Sequence, residues 1–183
     1  MSTDALDVTE IRWHSRGGQG GMTASQLLAE AAFRDGKEAT AFSFYGAERR
    51  GAPVTSYNRL SAQPIKLYSQ VARPDVVIVL DDSLVDLESV TDGLSADGAV
   101  IANTTNPDLF DVPGRLITVD ATTIAQDHGL QADGSAIVNT PVLGAVARTE
   151  LVTLETLTAV IEGEFDATNA MAARTAYENA TEE

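Results

Sequence analysis

Hydrophobic and polar positions change their period several times along the chain, and each change marks a predicted element. Polar and apolar side chains alternate over residues 9–14, which predicts a strand. A helix is predicted over 23–35, because apolar side chains recur there at helical spacing and Gly36 can cap its end. Further strands are predicted over 39–44, 54–60, 76–80, 98–102 and 115–119, and further helices over 141–149, 154–163 and 167–180.

The order of these elements predicts the fold class. Strands alternate with helices, which favours a single α/β domain. Residues 76–80 are apolar without interruption, which is typical of a central parallel strand. We therefore expect a Rossmann-like domain over residues 9–180, with a mostly parallel sheet flanked by helices and with helices at its C-terminal end. Residues 1–8 are expected to form a flexible leader, and residues 181–183 a frayed tail.

Composition limits the class of protein. The chain has 183 residues, of which 44% are hydrophobic and none is cysteine. The lack of cysteine excludes disulfides, thiolate zinc sites and an iron–sulfur cluster held by this chain. It also favours a reducing, cytoplasmic compartment. The longest aliphatic run, residues 76–80, is too short to span a bilayer.

Charge excludes two classes of partner and is unevenly distributed. Twelve basic and 27 acidic residues give a net charge of −15, so neither nucleic acid nor an anionic membrane is an expected partner. Only two of the basic residues are lysines. This composition is typical of proteins from halophiles, where concentrated salt screens the repulsion, although a merely acidic cytosolic protein is the alternative. Residues 1–60 hold seven basic and seven acidic residues, so residues 61–183 carry the whole net charge.

The strongest local signal lies between the first predicted strand and the first helix. Glycines there allow a phosphate to approach the backbone, and a helix N-terminus attracts anions. The dinucleotide-binding fingerprint is incomplete because its third glycine position is Thr23, and no lysine follows as in a P-loop. The segment is therefore either an anion-binding loop or a tight turn, which could also lie against a partner chain. Its residues are Arg16, Gly17, Gly18, Gln19 and Gly20.

A second cluster, Glu48, Arg49, Arg50 and Gly51, follows the second predicted strand. Adjacent arginines can bind a carboxylate or a phosphate through their planar guanidinium groups. The alternative is a surface turn whose arginines pair with the protein's own carboxylates. Four aromatic residues in the same neutral third of the chain favour a subunit interface there, although some of them, Trp13 especially, could fill the core. They are Trp13, Phe42, Phe44 and Tyr45.

Other polar residues are weaker candidates. Asp81 and Asp82 follow the central strand at the edge where α/β proteins bind ligands, but a helix cap is the commoner role. Asn139 belongs either to a helix cap or to a ligand site. His14 and His128 are the only histidines, and their separation argues against a metal site. No nucleophile is recognisable near His14, so no catalytic residue is assigned.

These motifs together resemble a known family. Residues 11–20 (IRWHSRGGQG) and 23–25 (TAS) closely resemble the opening of the gamma subunits of 2-oxoacid:ferredoxin oxidoreductases. Residues 48–54 (ERRGAPV) resemble the second motif of that family's pyruvate branch. Residues 73–81, and Asn139 with residues 143–145, match later features, so the resemblance covers about residues 10–180. One departure is Ser15, where the family usually has glycine.

The resemblance implies that the chain is the gamma subunit of a multi-subunit enzyme, with pyruvate the expected 2-oxoacid. Such a complex oxidatively decarboxylates its substrate on thiamine diphosphate, transfers the acyl group to coenzyme A and passes electrons through iron–sulfur clusters to ferredoxin. The implied partners are catalytic alpha and beta subunits and a ferredoxin-like subunit or ferredoxin. This chain would bind no cofactor alone and would be accessory. The alternative is a free-standing nucleotide- or anion-binding module that uses residues 17–21.

Overall fold

Helices and strands alternate along the described residues, which are 8–44, 51–67 and 69–183 of a computed structural model. The elements are β1 Val8–Arg16, α1 Gly21–Arg34, β2 Glu38–Phe44, β3 Pro53–Ser61, β4 Val76–Val79, β5 Ala99–Asn103, β6 Arg115–Val119, α2 Ala121–Asp127, β7 Gln131–Ala132, β8 Ser135–Ala136, α3 Asn139–Val146, α4 Leu154–Glu164, α5 Ala167–Asn179 and β9 Thr181–Glu182. Short 3-10 turns also occur at Asp82–Leu84, Pro107–Leu109 and Ala147–Thr149.

The main sheet has seven strands in the order β2-β3-β1-β4-β5-β6-β9. Neighbours among β1, β4, β5 and β6 are parallel, whereas β3 is antiparallel to β1 and to β2, and β9 is antiparallel to β6. The predicted α/β domain flanked by helices is therefore confirmed, with a mixed sheet whose four central strands, β1, β4, β5 and β6, are parallel. The two strands that follow β1 in sequence, β2 and β3, lie on one side of it in the sheet. The later strands β4, β5, β6 and β9 lie on the other side. The carboxyl end of β1 consequently lies at a switch point, where α/β proteins commonly bind ligands.

The two faces of this sheet are covered by different kinds of structure. On the face that carries Ile11 and Trp13, buried apolar side chains from all five described helices join those of the strands in one cluster. We call this the helix face. The opposite face carries Arg12 and His14, and its smaller apolar cluster is covered by residues from turns and loops. We call this the loop face, and its apolar cluster consists of Val77, Val79, Leu84, Val90, Val100, Ala102, Phe110 and Leu116.

Helix α3 lies at the centre of the helix face, and all eight of its residues are buried. It crosses α5 very closely at Gly144. A Cβ atom placed on Gly144 would lie 1.9 Å from the carbonyl oxygen of Ala173. The facing residues of α5, among them Ala170 and Ala173, are small and buried. The close approach of the two backbones therefore depends on small side chains on both helices.

The structure differs from the sequence predictions at several element ends. Helix α2 and the β7–β8 hairpin were not predicted, and α3 begins at Asn139 instead of residue 141. Residues 181–183 are not a frayed tail, because Thr181–Glu182 pair with β6 and Arg115 Nε donates to Glu182 Oε1 at 2.6 Å. Of the predicted leader, only Val8 lies within the described residues, and it begins β1.

Candidate functional site

The glycine loop, which we define as residues 16–21, turns the chain from β1 into α1. Gly18 and Gly20 have φ angles of 94° and 78°, in the left-handed region that favours glycine. Gln19 N donates to Arg16 O at 3.0 Å, and Arg16 N donates to Gln19 Oε1 at 2.7 Å. Hydrogen bonds within the loop therefore hold its shape in this isolated chain.

The glycine loop also contacts the second motif. Gly17 N donates to Ala52 O at 2.8 Å, and Gly51 N donates to Gly17 O at 3.0 Å. The guanidinium of Arg16 donates through Nη1 to Gly51 O at 3.0 Å. The glycine loop and the second motif, which are separate in sequence, thus meet at the carboxyl end of β1. The other members of that motif, Glu48, Arg49 and Arg50, lie outside the described residues, as do Tyr45 and the side chain of Phe44.

Asp81 at the end of β4 binds the glycine loop from the other side. Its Oδ2 accepts from Arg16 Nε at 3.1 Å and from Gln19 Nε2 at 2.9 Å, and its Oδ1 accepts from Ser83 N and Oγ. Burial tends to raise the pKa of Asp81. Hydrogen bonds from Ser83 and Gln19 and the charge of Arg16 outweigh burial and hold it below its ordinary value. The charge of Arg16 is therefore already balanced within this chain.

Asn139 joins the site from the start of α3. The residue is 4% exposed, and its Oδ1 accepts from Thr140 N at 2.9 Å. A Cβ atom on Gly20 would lie 2.5 Å from Asn139 Nδ2, so the amide faces the N-terminus of α1 directly. The bond through Oδ1 therefore leaves the Nδ2 side of the amide turned toward the glycine loop. Asn139 thus adds an amide to the corner formed by the glycine loop.

Ser15 fits this corner because its neighbour on α1 has no side chain. A Cβ atom on Gly21 would lie 2.4 Å from Ser15 Oγ and 2.8 Å from Ser15 Cβ. Ser15 is buried, and its hydroxyl donates weakly to Val54 O at 3.4 Å. The departure from the glycine usual in the resembling family is therefore accommodated locally, with Gly21 providing the space.

A polar cavity of about 390 Å³ opens beside the glycine loop, at the carboxyl ends of β4 and β5. Three carboxylates line it, from Asp81, Asp82 and Asp120. Asp82 accepts from Thr104 Oγ1 at 2.7 Å, and Asn103 Nδ2 donates to Leu80 O at 3.0 Å. Clustered carboxylates repel a phosphate, so this cavity is a poor site for a nucleotide.

A buried polar cluster lies on the loop face and was not predicted from the sequence. Arg12 Nε donates to His14 Nε2 at 3.0 Å, and His14 Nδ1 lies 3.0 Å from Glu88 Oε2. Because an arginine can only donate, His14 carries its proton on Nδ1 and donates it to Glu88. Burial and the charge of Arg12 hold the pKa of His14 below its ordinary value, against the opposing effect of Glu88. The alternation of apolar and polar residues along β1 indicated a polar face. It gave no sign of Glu88, which bonds His14 from 74 residues away in sequence.

Two of the aromatic residues assigned to an interface have partners within the chain. Trp13 is fully buried on the helix face, and its Nε1 donates to Asn58 Oδ1 at 2.7 Å. Phe42 stacks on Tyr57 with ring centroids 5.2 Å apart, and the guanidinium of Arg59 lies over the Phe42 ring. Trp13 therefore fills the core, which leaves the interface prediction to the remaining residues.

Comparison with known proteins identifies the family. The family model for pyruvate ferredoxin/flavodoxin oxidoreductase matches residues 10–179. The common gamma subunit of the pyruvate/ketoisovalerate oxidoreductases of Pyrococcus furiosus is 49% identical over 180 residues, covering 92% of this chain and 95% of that one. The chain belongs to the pyruvate ferredoxin/flavodoxin oxidoreductase family. Its motifs had predicted a gamma subunit of this family, and that prediction is confirmed.

Solved structures of the oxidoreductase family share the fold. Pyruvate oxidoreductase subunit PORC from Thermotoga maritima is 38% identical, with a TM-score of 0.83 and coverage of 96% of this chain and 98% of that one. A 2-oxoglutarate:ferredoxin oxidoreductase from Magnetococcus marinus, solved with 2-oxoglutarate, coenzyme A and succinyl-CoA bound, matches at 21% identity and a TM-score of 0.74. That match covers 93% of this chain but 30% of the other, so the same fold also occurs as one part of a longer chain.

Proposed function

We propose that this chain is the gamma subunit of a pyruvate:ferredoxin oxidoreductase that forms acyl-CoA. The observation that carries the proposal is its 49% identity, over nearly its whole length, to a gamma subunit shared by pyruvate and ketoisovalerate oxidoreductases. The chain has no cysteine, so the thiolates that hold iron–sulfur clusters must come from partners. Thiamine diphosphate is likewise assigned to catalytic alpha and beta subunits. Coenzyme A is assigned to the complex because the 2-oxoglutarate relative is solved with coenzyme A bound.

The role assigned to this chain is accessory, and we assign its contact with the catalytic subunits to the glycine loop and the second motif. Hydrogen bonds within the chain give the loop a fixed shape, which lowers the ordering cost of docking. Asn139 places its amide at the same corner. The nucleotide-binding alternative is less favoured, because Asp81 neutralises Arg16 and the adjacent cavity is acidic.

Reconstitution tests the proposed function directly. Purified catalytic alpha and beta subunits, a ferredoxin-like subunit and ferredoxin are mixed with or without this chain, and pyruvate- and CoA-dependent reduction of ferredoxin is measured. We expect full activity only with the chain present, and none from the chain alone. Full activity without the chain, or tight nucleotide binding by the isolated chain, would contradict the proposal.

A charge reversal tests where the chain meets its partners. Arg49→Glu with Arg50→Glu should leave the isolated chain folded but weaken its association with the catalytic subunits by about 2–5 kcal/mol or more. The matched control reverses Arg34 and Arg73, both exposed, of which Arg34 makes only an exposed ion pair with Glu30. Equal association of the two double variants, measured in the same high-salt buffer, would place the contact elsewhere.

We also propose that the protein works in a salt-rich cytoplasm. A net charge of −15 lies on about 9,327 Å² of surface. The Debye length is about 10 Å at 0.1 M salt and about 3 Å at 1 M, so the repulsion persists only in dilute buffer. The melting temperature should therefore rise strongly with KCl. The melting temperature is measured by circular dichroism. Equal values in dilute and in molar KCl would disprove adaptation to salt.

A further inference from the structure

A groove on the loop face combines exposed leucines with carboxylates. It has a volume of about 380 Å³ and lies between residues 85–91 and residues 109–111. Two large apolar side chains are exposed there: Leu87 is 61% exposed and Leu109 is 38% exposed. Asp86, Glu88 and Asp111 line the same groove, and none of the described residues that line it is basic.

The wall of this groove is anchored to the sheet. Arg12 Nη2 donates to Val90 O at 2.9 Å and to Asp92 O at 2.6 Å. His14 holds Glu88 at 3.0 Å, yet the Glu88 side chain remains 33% exposed. Hydrogen bonds from two buried residues of β1 therefore fix the wall and orient one carboxylate of the groove. A partner that binds here would meet a surface that is already ordered, which lowers the entropic cost of binding.

The position of the groove explains why a partner is expected on this face. Parallel sheets in α/β proteins are ordinarily buried on both faces, with helices as the usual cover. In the described part of this chain all five helices contribute to the helix face, and turns and loops cover the other. The apolar cluster of the loop face, with Leu84 and Phe110, lies directly beneath the two segments that form the groove.

We infer that this groove is a docking site for a segment of a catalytic partner subunit that carries a large apolar side chain next to arginine or lysine. The inference rests on the proposed function. Charge complementarity selects this occupant, because three carboxylates attract a basic group while Leu87 and Leu109 provide apolar contact. A second copy of this chain is disfavoured because two chains of net charge −15 would meet at an acidic surface.

Two pairs of substitutions separate the apolar contribution from the charged one. Leu87→Ser with Leu109→Ser removes the exposed leucines without changing charge. Asp86→Asn with Asp111→Asn removes two exposed carboxylates and leaves Glu88 bonded to His14. The matched controls are Phe165→Ser with Met171→Ser, 44% and 57% exposed, and Glu155→Gln with Glu162→Gln on α4. All four double variants should keep the melting temperature of the wild type, because the replaced side chains are exposed.

The experiment measures the affinity of each full-length variant for the purified catalytic subunits, in the complex-forming buffer. Each groove pair should weaken binding about tenfold or more, as expected when central contacts of an interface are removed, and neither control pair should. Failure of the wild type to bind would overturn the proposed function together with this inference. Binding by the wild type with unchanged groove variants would overturn the inference alone. A dimer of the isolated chain that Leu87→Ser with Leu109→Ser dissociates would also overturn it, by assigning the groove to a second copy.

Discussion

The two faces of the sheet follow different rules of construction. The helix face buries a single large apolar cluster, in which helices approach so closely that Gly144 meets the backbone of α5. The loop face has a smaller apolar cluster and, beside it, buried ionisable groups that include Arg12, His14 and Arg59. Arg59 is 1% exposed and bonds Glu10 Oε1 at 2.7 Å, so even its charge is paired.

This difference separates stability from recognition. Apolar burial on the helix face is non-directional and tolerates no added volume. On the loop face, buried polar groups bond to carbonyls and carboxylates of irregular segments and so fix the positions of those segments. A partly exposed carboxylate held by such a network can contact another protein in a defined geometry. The helix face therefore holds the larger share of the apolar burial, and the loop face is where we propose that a partner docks.

The largest expected effect is on the helix face. Gly144→Ala should lower the free energy of unfolding by about 3 kcal/mol, because the methyl group would force α3 and α5 apart. The measurement is chemical denaturation of the isolated chain in molar salt.

Gly163→Ala on α4 is the matched control for Gly144→Ala. A Cβ atom on Gly163 would meet nothing within 4 Å. The same substitution should therefore stabilise the chain slightly, by about 0.5–1 kcal/mol, through helix propensity alone. If both variants lost the same stability, the loss in Gly144→Ala could not be attributed to the close crossing of α3 and α5.

The contrast between the faces also explains what the sequence could predict. Regular periods identified α1, α4 and α5, because one side of each helix packs into the helix face. The central strand β4 was identified by its uninterrupted apolar run, because both of its sides are buried. Helix α2 has only seven residues and β9 only two, too few to show a period. The apolar residues that cover the loop face, such as Leu84 and Phe110, come from turns that have no period at all.

The candidate site was predictable in its composition but not in its pairing. Glycines and arginines marked the segments of Arg16 and Gly51, and Asn139 was singled out. The bond between Arg16 and Asp81 joins residues 65 positions apart, and only the strand order brings them together. Likewise, the space for Ser15 comes from the missing side chain of Gly21. In the sequence alone, a glycine at this position is equally consistent with a phosphate-binding loop and with close packing.

A smaller effect is expected at the boundary between β1 and α1. Gly21→Ala should cost about 2 kcal/mol of folding free energy, because its Cβ would collide with Ser15 Oγ and Cβ. In a Ser15→Gly background the nearest remaining atom is Leu80 Cδ2 at 3.9 Å, an ordinary contact. The double variant should therefore recover most of the loss. Simple additivity of the two substitutions in thermal denaturation would show that the pair does not interact.

The smallest expected effect is a pH dependence that belongs to the loop face. In the folded chain burial and Arg12 hold the pKa of His14 below its ordinary value of 6.5, so the unfolded chain takes up the proton more readily. Stability contributed by neutral His14 is therefore fully present above about pH 6.5 and is lost as the pH falls from there toward the folded-state pKa. Protonation of Nε2 would also remove the acceptor that Arg12 binds and set two cations against each other.

The measurement compares melting temperatures between pH 5 and pH 8 for the wild type and His14→Gln. Glutamine can accept from Arg12 and donate to Glu88 but does not titrate, so this variant should have a flatter profile below pH 6.5. Arg12 and Glu88, which act on His14, remain in both proteins, as do Tyr57 and Asp92, which act on Arg12. The control variant is His128→Gln, at the only other histidine, which keeps His14 in place. The melting temperatures of the wild type and of His14→Gln could instead show the same slope against pH. In that case the hydrogen bonds that link β1 to Glu88 would not depend on the neutral imidazole. The loop face would then differ from the helix face in chemistry but not in its response to pH.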